Sequence, residues 1–124
     1  MLLLSCGSGK DRPAVTDTEV ATAFIRNTLD NNIEEAKKYV LNDDQNTQLM
    51  DTYSNWYQKQ GKAQTEGYRK ADIVIDSIKP IVTDSLEIIY YRNSFDPKEK
   101  SKLKMVRSNN KWMIDFKYTA LGNQ

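Results

Sequence analysis

Apolar residues recur first at intervals of three and four and then at intervals near two, and the change falls at about Tyr68. Val20, Ala21, Phe24, Ile25, Thr28 and Leu29 form one helical stripe. Thr16-Asp17-Thr18-Glu19 precedes it at the spacing of a capping box, in which the Thr16 hydroxyl accepts the Glu19 amide and the Glu19 carboxylate returns to the Thr16 amide. A helix should therefore start at Thr16 and run until Asp30-Asn31-Asn32 interrupts the stripe. Asn32 then caps a short second helix, with Ile33, Ala36, Tyr39 and Val40 as its inner side. Asn42-Asp43-Asp44 opens a third, which carries Leu49, Met50, Tyr53, Trp56 and Tyr57 at helical spacing. Gly61 and Gly67 predict that residues 59–68 are a frayed end or a mobile loop.

Four strands follow. Residues 69–79 hold Ile73, Val74, Ile75 and Ile78 and should stop at Pro80. Thr83-Asp84-Ser85 turns the chain into 86–93, rich in Ile and Tyr, which Asp96-Pro97 should break. In 100–108, Lys102 and Lys104 alternate with Leu103 and Met105, and Asn109-Asn110 is a tight hairpin into 111–118. There Trp112, Ile114 and Phe116 point one way, and Lys111, Met113, Asp115 and Lys117 the other. Short turns make consecutive strands antiparallel neighbours. The pattern is α+β, helices first and sheet after, in a single domain over 16–118 followed by a tail at 119–124.

The amino terminus has no such period. Met1-Leu2-Leu3-Leu4-Ser5-Cys6-Gly7 resembles a bacterial lipobox, with Leu3 three residues before the cysteine and the small Ser5 just before it. That resemblance implies a diacylglyceryl group on Cys6, cleavage before it, and an extracytoplasmic, lipid-anchored protein of the cell envelope. Residues 1–6 would be a truncated lipoprotein signal, since little of the apolar stretch of a signal peptide precedes Cys6. Residues 7–15 read as a flexible tether.

Charge changes the picture only locally. Eighteen basic and seventeen acidic residues leave +1, so nothing global points to nucleic acid. Over 17–51, however, eight acids face three bases, whereas 98–117 has seven bases with only Glu99 and Asp115. The helical half is acidic and the sheet half basic: either two solvated faces, or a basic ribbon for anionic lipid or an acidic partner. One cysteine excludes an internal disulfide, and the absence of histidine removes the commonest zinc ligand and the usual neutral-pH proton shuttle, so no metal and no cofactor is expected.

Phe24 to Val40, ending in EEAKKYV, and VRSNNKWMIDF at 106–116 resemble stretches of uncharacterised bacterial lipoproteins of the nuclear transport factor 2-like superfamily. The resemblance covers about residues 16–118. It implies N-terminal helices packed on a curved four-stranded antiparallel sheet, a cone; a cystatin-like sheet with fewer helices is the rival. Ketosteroid isomerase and scytalone dehydratase of that superfamily work in the mouth of the cone. Here the strand-borne candidates for a general base are Asp76 and Asp115, both expected on the surface, so no enzyme is expected. The aromatic set Tyr53, Trp56, Tyr57, Tyr90, Tyr91 and Trp112 could line a pocket for a small apolar ligand or a peptide, with Tyr57 and Tyr90 at the rim, or could fill the core. The first expectation is thus a membrane-anchored, non-enzymatic binding module. The alternative is a structural or assembly protein that meets itself or another envelope protein through Lys102, Lys104, Met113, Asp115 and Lys117.

Overall fold

The structure, a computed structural model, describes residues 14–120, with Thr119 and Ala120 as backbone only. Cys6, the 1–6 leader, residues 7–13 of the tether and the end of the tail at 121–124 lie outside the described residues. Helices come first and a four-stranded antiparallel sheet after: α1 (Asp17–Leu29), α2 (Ile33–Lys37), α3 (Asp44–Gln58) and α4 (Lys62–Lys70), then β1 (Ile73–Val82), β2 (Leu86–Asn93), β3 (Asp96–Ser108) and β4 (Lys111–Ile114), and last the short α5 (Phe116–Ala120). The strands lie in the order β1-β2-β3-β4, a meander.

α1 starts as its sequence dictates. The Glu19 amide donates to Thr16 Oγ1 at 3.2 Å, and Glu19 Oε1 accepts the amides of Val15 and Thr16 at 3.1 Å each. All six residues of its stripe are buried, and they face Ile89 of β2, Leu103 and Met105 of β3 and Ile114 of β4, each 0 % exposed. Burying such side chains stabilises the domain by roughly 1.5–3 kcal/mol apiece before entropy is subtracted. Asn32 holds the N-cap position of α2 but its side chain makes no capping bond, so that helix rests on the burial of Ile33 and Ala36. At α3 the cap is Asp43, whose Oδ1 accepts the Asn46 amide at 2.8 Å.

Of the stretch 59–68, expected to be frayed or mobile, residues 62–68 instead belong to α4, with Gly61 at its N-cap and Lys59 at the C-cap of α3. Two long-range contacts overrule the glycines. Arg26 of α1 donates to the carbonyls of Tyr68, Arg69 and Ala71 at 2.9, 3.1 and 2.7 Å, so one guanidinium satisfies the C-terminal carbonyls and complements the negative end of the helix dipole. The Phe95 ring, from the β2–β3 turn, lies where a side chain at Gly67 would be. Gly67→Ala alone is therefore expected to destabilise the protein in spite of its better helix propensity. In a Phe95→Ala background the same change is expected to stabilise by about 0.5–1 kcal/mol. Urea denaturation of the four proteins decides, since additive effects would mean that the ring does not dock there.

The strands keep their expected order and turns but not all their limits. β2 is as expected. Asp84 (φ 61°) turns β1 into β2, and Asn109 and Asn110 (φ 52° and 63°) form the β3–β4 hairpin, both Asn side chains tolerating the left-handed region. β1 begins at Ile73 rather than residue 69 and runs through Pro80 to Val82, Pro being tolerated on an edge strand beside a bulge, with register shifts after Ile75 and Pro80. Asp96-Pro97 does not end the sheet but begins β3, for the same reason that Pro is tolerated at a strand's first residues. The last strand stops at Ile114, not 118: β4 pairs only with residues 105–108 of β3. The opposite edge of β4 is bridged at Ile114, whose amide donates to the Tyr39 carbonyl at 2.8 Å and whose carbonyl accepts the Leu41 amide at 2.9 Å. α5 packs against β3 and α3, and Phe116 is buried edge-on against Phe24 of α1, 5.8 Å between centroids.

Candidate functional site

Strand pairing sorts the sheet residues by face. Glu87, Ile89 and Tyr91 of β2 stand opposite Met105, Leu103 and Ser101 of β3 and face the helices, while Ile88, Tyr90 and Arg92 face away. Over β2, β3 and β4 the inner face is packed beneath α1 and Met50 of α3, while at the β1 end Ile78, opposite Ile89, stays 37 % exposed; Tyr57 of α3 is 2 % exposed.

The aromatic residues expected to line a pocket divide into four places. Tyr53, Trp56 and Tyr57 come together on α3, with centroids 5.6 and 6.2 Å from Tyr53, and the series continues through Tyr68 to Phe95. Tyr57 is not at a rim: its hydroxyl is buried and donates to the Leu29 carbonyl at 2.6 Å. The Tyr53 hydroxyl donates to the Thr28 carbonyl at 2.9 Å, and burial raises its pKa well above the usual phenol value. Both phenols thus cap the end of α1 and hold α3 to it. Trp56 stays 45 % exposed. Tyr90 is half-buried on the outer face, opposite Lys102. Tyr91 is on the inner side, where burial pushes its hydroxyl up to about 12 against a hydrogen bond with Ser101. Trp112 lies under the Arg107 guanidinium at 5.5 Å and lines a groove of about 370 Å³ with Ala14, Val15, Tyr39 and Met113. Tyr68 and Phe95, which complete the α3 aromatic series, were not among the expected site residues. Phe95 precedes Asp96-Pro97 and has no periodic signal, since its place is set by Gly67.

Neither candidate base is free. Asp76 is paired with Arg92 at 3.0 Å on the outer face. Asp115 accepts from Asn46 Nδ2 at 3.3 Å and lies 3.2 Å from Lys117 and 3.7 Å from Lys104. The perturbed carboxyl is another one. Glu87 is 8 % exposed, its Oε2 has no hydrogen-bond partner, and burial together with the Asp17 carboxyl beside it pushes its pKa up to about 8. At the N-terminus of α1 the amides of Thr16, Thr18 and Glu19 are already bonded to Glu19, Asp17 and Thr16 respectively. Nothing in its strand marks Glu87 out, since a Glu between Leu86 and Ile88 reads as an ordinary polar position.

The outer face carries the concentrated charge. Lys79, Ile88 and Lys104 lie abreast across three strands, as do Ser77, Tyr90 and Lys102. Tyr118 of α5 completes the rows, 5.5 and 5.8 Å from the Lys102 and Lys104 ammonium groups. The register jumps between Tyr91–Ser101 and Asn93–Asp96, and the extra residues of β3 carry Lys98 and Lys100, both exposed. Lys117 turns away to Asp43 at 3.1 Å, and Met113 lies at the β4 edge in the groove with Trp112.

No family model, curated protein or solved structure matches this chain. Among the described residues no helix is long and apolar enough to cross a membrane.

Proposed function

We propose that this chain is a non-enzymatic interaction module of the bacterial cell envelope, held by lipid on Cys6, which works through the outer face of its sheet rather than through a pocket. The packed inner face of β2, β3 and β4 carries this reading: Ile89, Leu103, Met105 and Ile114 are fully buried, and the Tyr53 and Tyr57 hydroxyls are spent on α1 carbonyls. A ligand between helices and sheet would have to displace packed side chains, at a cost of several kcal/mol. The order of helices and then a four-stranded meander supports a place in the nuclear transport factor 2-like superfamily, here with its cone closed by its own aromatics. Asp76 and Asp115, each held in ion pairs, support no acid–base role.

Native mass spectrometry of the protein released gently from its envelope, beside Cys6→Ala expressed behind a complete leader, tests both halves. The expected result is one added mass, that of the lipid, absent from Cys6→Ala. A second discrete mass on both forms would restore the pocket, and an unmodified Cys6 would remove the anchor.

A further inference from the structure

We infer that the outer sheet face and the adjoining register jump of β3 form a docking surface for an anionic bilayer, with Lys79 and Lys102 on the face and Lys98 and Lys100 at the jump as the charges that hold it there. The inference rests on the outer-face reading above and needs no lipid on Cys6. Three observations select a bilayer from the possible polyanions. The first is the type of base. Lysine presents a compact, hydrated point charge without the planar fork that suits bidentate recognition of a single phosphate, and Arg92, the arginine on this face, is already turned onto Asp76. Several separate ammonium groups along one side of the sheet match a surface potential spread over many headgroups.

The second is what lies between and beside the lysines. Tyr90 and Tyr118 put phenol rings, apolar in body and polar at the tip, among Lys102 and Lys104. Beyond Lys79 the same edge strand exposes Ile81 and Val82 at 51 % and 52 %, two apolar side chains at the margin of a basic field. That pairing of a few exposed aliphatic residues with surrounding lysines is what an interfacial contact needs, since the charges draw the face to the headgroups and the apolar residues enter the acyl boundary. The third is charge segregation. Eight acids against three bases over 17–51, and seven bases against two acids over 98–117, place the excess positive charge on the sheet half, which favours presenting that half to an anionic surface.

The test uses full-length Cys6→Ala, never acylated, in co-sedimentation with vesicles of phosphatidylglycerol and phosphatidylcholine in equal parts and with vesicles of phosphatidylcholine alone. Binding is expected to the first only, and it should fall away between about 0.1 M and about 1 M salt as the screening length shrinks. Each ammonium at the surface contributes about fivefold, so replacing Lys79, Lys98, Lys100 and Lys102 together with Gln should weaken binding by about a hundredfold or more. Exposed Lys59, Lys62, Arg69 and Lys70 of the helical half, replaced together with Gln, remove the same charge and should leave binding within about threefold. Circular dichroism melts of both variants establish that they fold. Equal losses in the two variants, or equal binding to both vesicle types, would overturn the inference. If the wild type ignores vesicles but associates with itself or with duplex DNA, and the sheet-face variant alone loses that, the outer face is in use and a bilayer is not its partner. If the sheet-face variant changes none of these, the outer-face reading fails as well.

Discussion

Asn46→Ala is expected to cost about 3 kcal/mol and to lower the melting temperature by roughly 10 °C, the largest effect of any polar substitution in this protein. Asn46 is 0 % exposed, and its side-chain amide joins Leu41 and Asp43 beside it to Asp115 and Lys117, about seventy residues away. Its Nδ2 donates to Asp43 Oδ2 at 3.0 Å, to Asp115 Oδ1 at 3.3 Å and, at a longer 3.4 Å, to the Leu41 carbonyl. Its Oδ1 accepts the Lys117 amide at 2.7 Å. Because a backbone amide only donates, that bond fixes which end of the side chain is oxygen. Truncation leaves the Lys117 amide without its acceptor and takes one donor from each of Asp43 and Asp115, which then share only the Lys117 ammonium group. Burying unsatisfied groups is what makes the loss large, since a hydrogen bond by itself adds only about 1 kcal/mol. Asn27→Ala is the comparison. Asn27 Nδ2 donates only within its own helix, to the Ala23 carbonyl at 2.8 Å, and its loss should cost under about 1 kcal/mol. Urea denaturation of the two variants separates the cases. Equal costs would mean that Asn46 is no junction.

Asn46 also explains why the end of the sheet was not legible in the sequence. Trp112, Ile114 and Phe116 alternate as a strand should, and Phe116 is buried as that alternation implies. What turns the chain into α5 is the capture of Asp115 and Lys117 by Asn46 and Asp43, partners about seventy residues away. α4 was hidden for a related reason. Gly67 weakens a helix in isolation, but the position has to be glycine for Phe95 to dock, and no window around residue 67 contains Phe95. By contrast, the start of α1, the limits of β2 and the Asn109-Asn110 hairpin rest on residues within a few positions of one another, and these were read correctly.

The candidate site divides along the same line. That Lys102 and Lys104 share a face follows from period-two alternation and could be read directly. That Lys79 and Tyr118 join them depends on strand register and on α5. The aromatic spacing of α3 showed that Tyr53, Trp56 and Tyr57 share a side, but spacing does not say where a hydroxyl finds its acceptor. Tyr53 and Tyr57 spend theirs on the final turn of α1, and that turn removes them from any rim.

Glu87→Gln is expected to stabilise the protein at pH 8 and above, by on the order of 2 kcal/mol once solvent screening of the pair is allowed for, while changing little at pH 5. The sign follows from linkage. Glu87 has its pKa raised to about 8 in the folded chain, by burial first and by Asp17 second, whereas an unfolded glutamate titrates near 4.5. The unfolded chain therefore releases this proton before the folded one does. The contribution of Glu87 to stability is complete below about pH 4.5, shrinks as pH rises, and is gone once pH passes about 8, where the folded state must hold a buried carboxylate beside Asp17. Other shifted groups lie outside that window. Asp43, lowered by the Asn46 amide and then by Lys117, loses its contribution only as pH falls through the ordinary carboxylate range. Lys37 and Lys117, raised by Asp51 and Asp43 respectively, lose theirs only at a pH above the usual lysine value. Between about pH 5 and pH 9 the slope of stability against pH should thus belong mainly to one residue. Urea denaturation across that range should show wild-type stability falling with pH and the Glu87→Gln line nearly flat, the two converging at the acid end. Parallel lines would mean that Glu87 is ionised in the folded protein at neutral pH, and that the end of the sheet beside α1 holds a charge where the geometry places a proton.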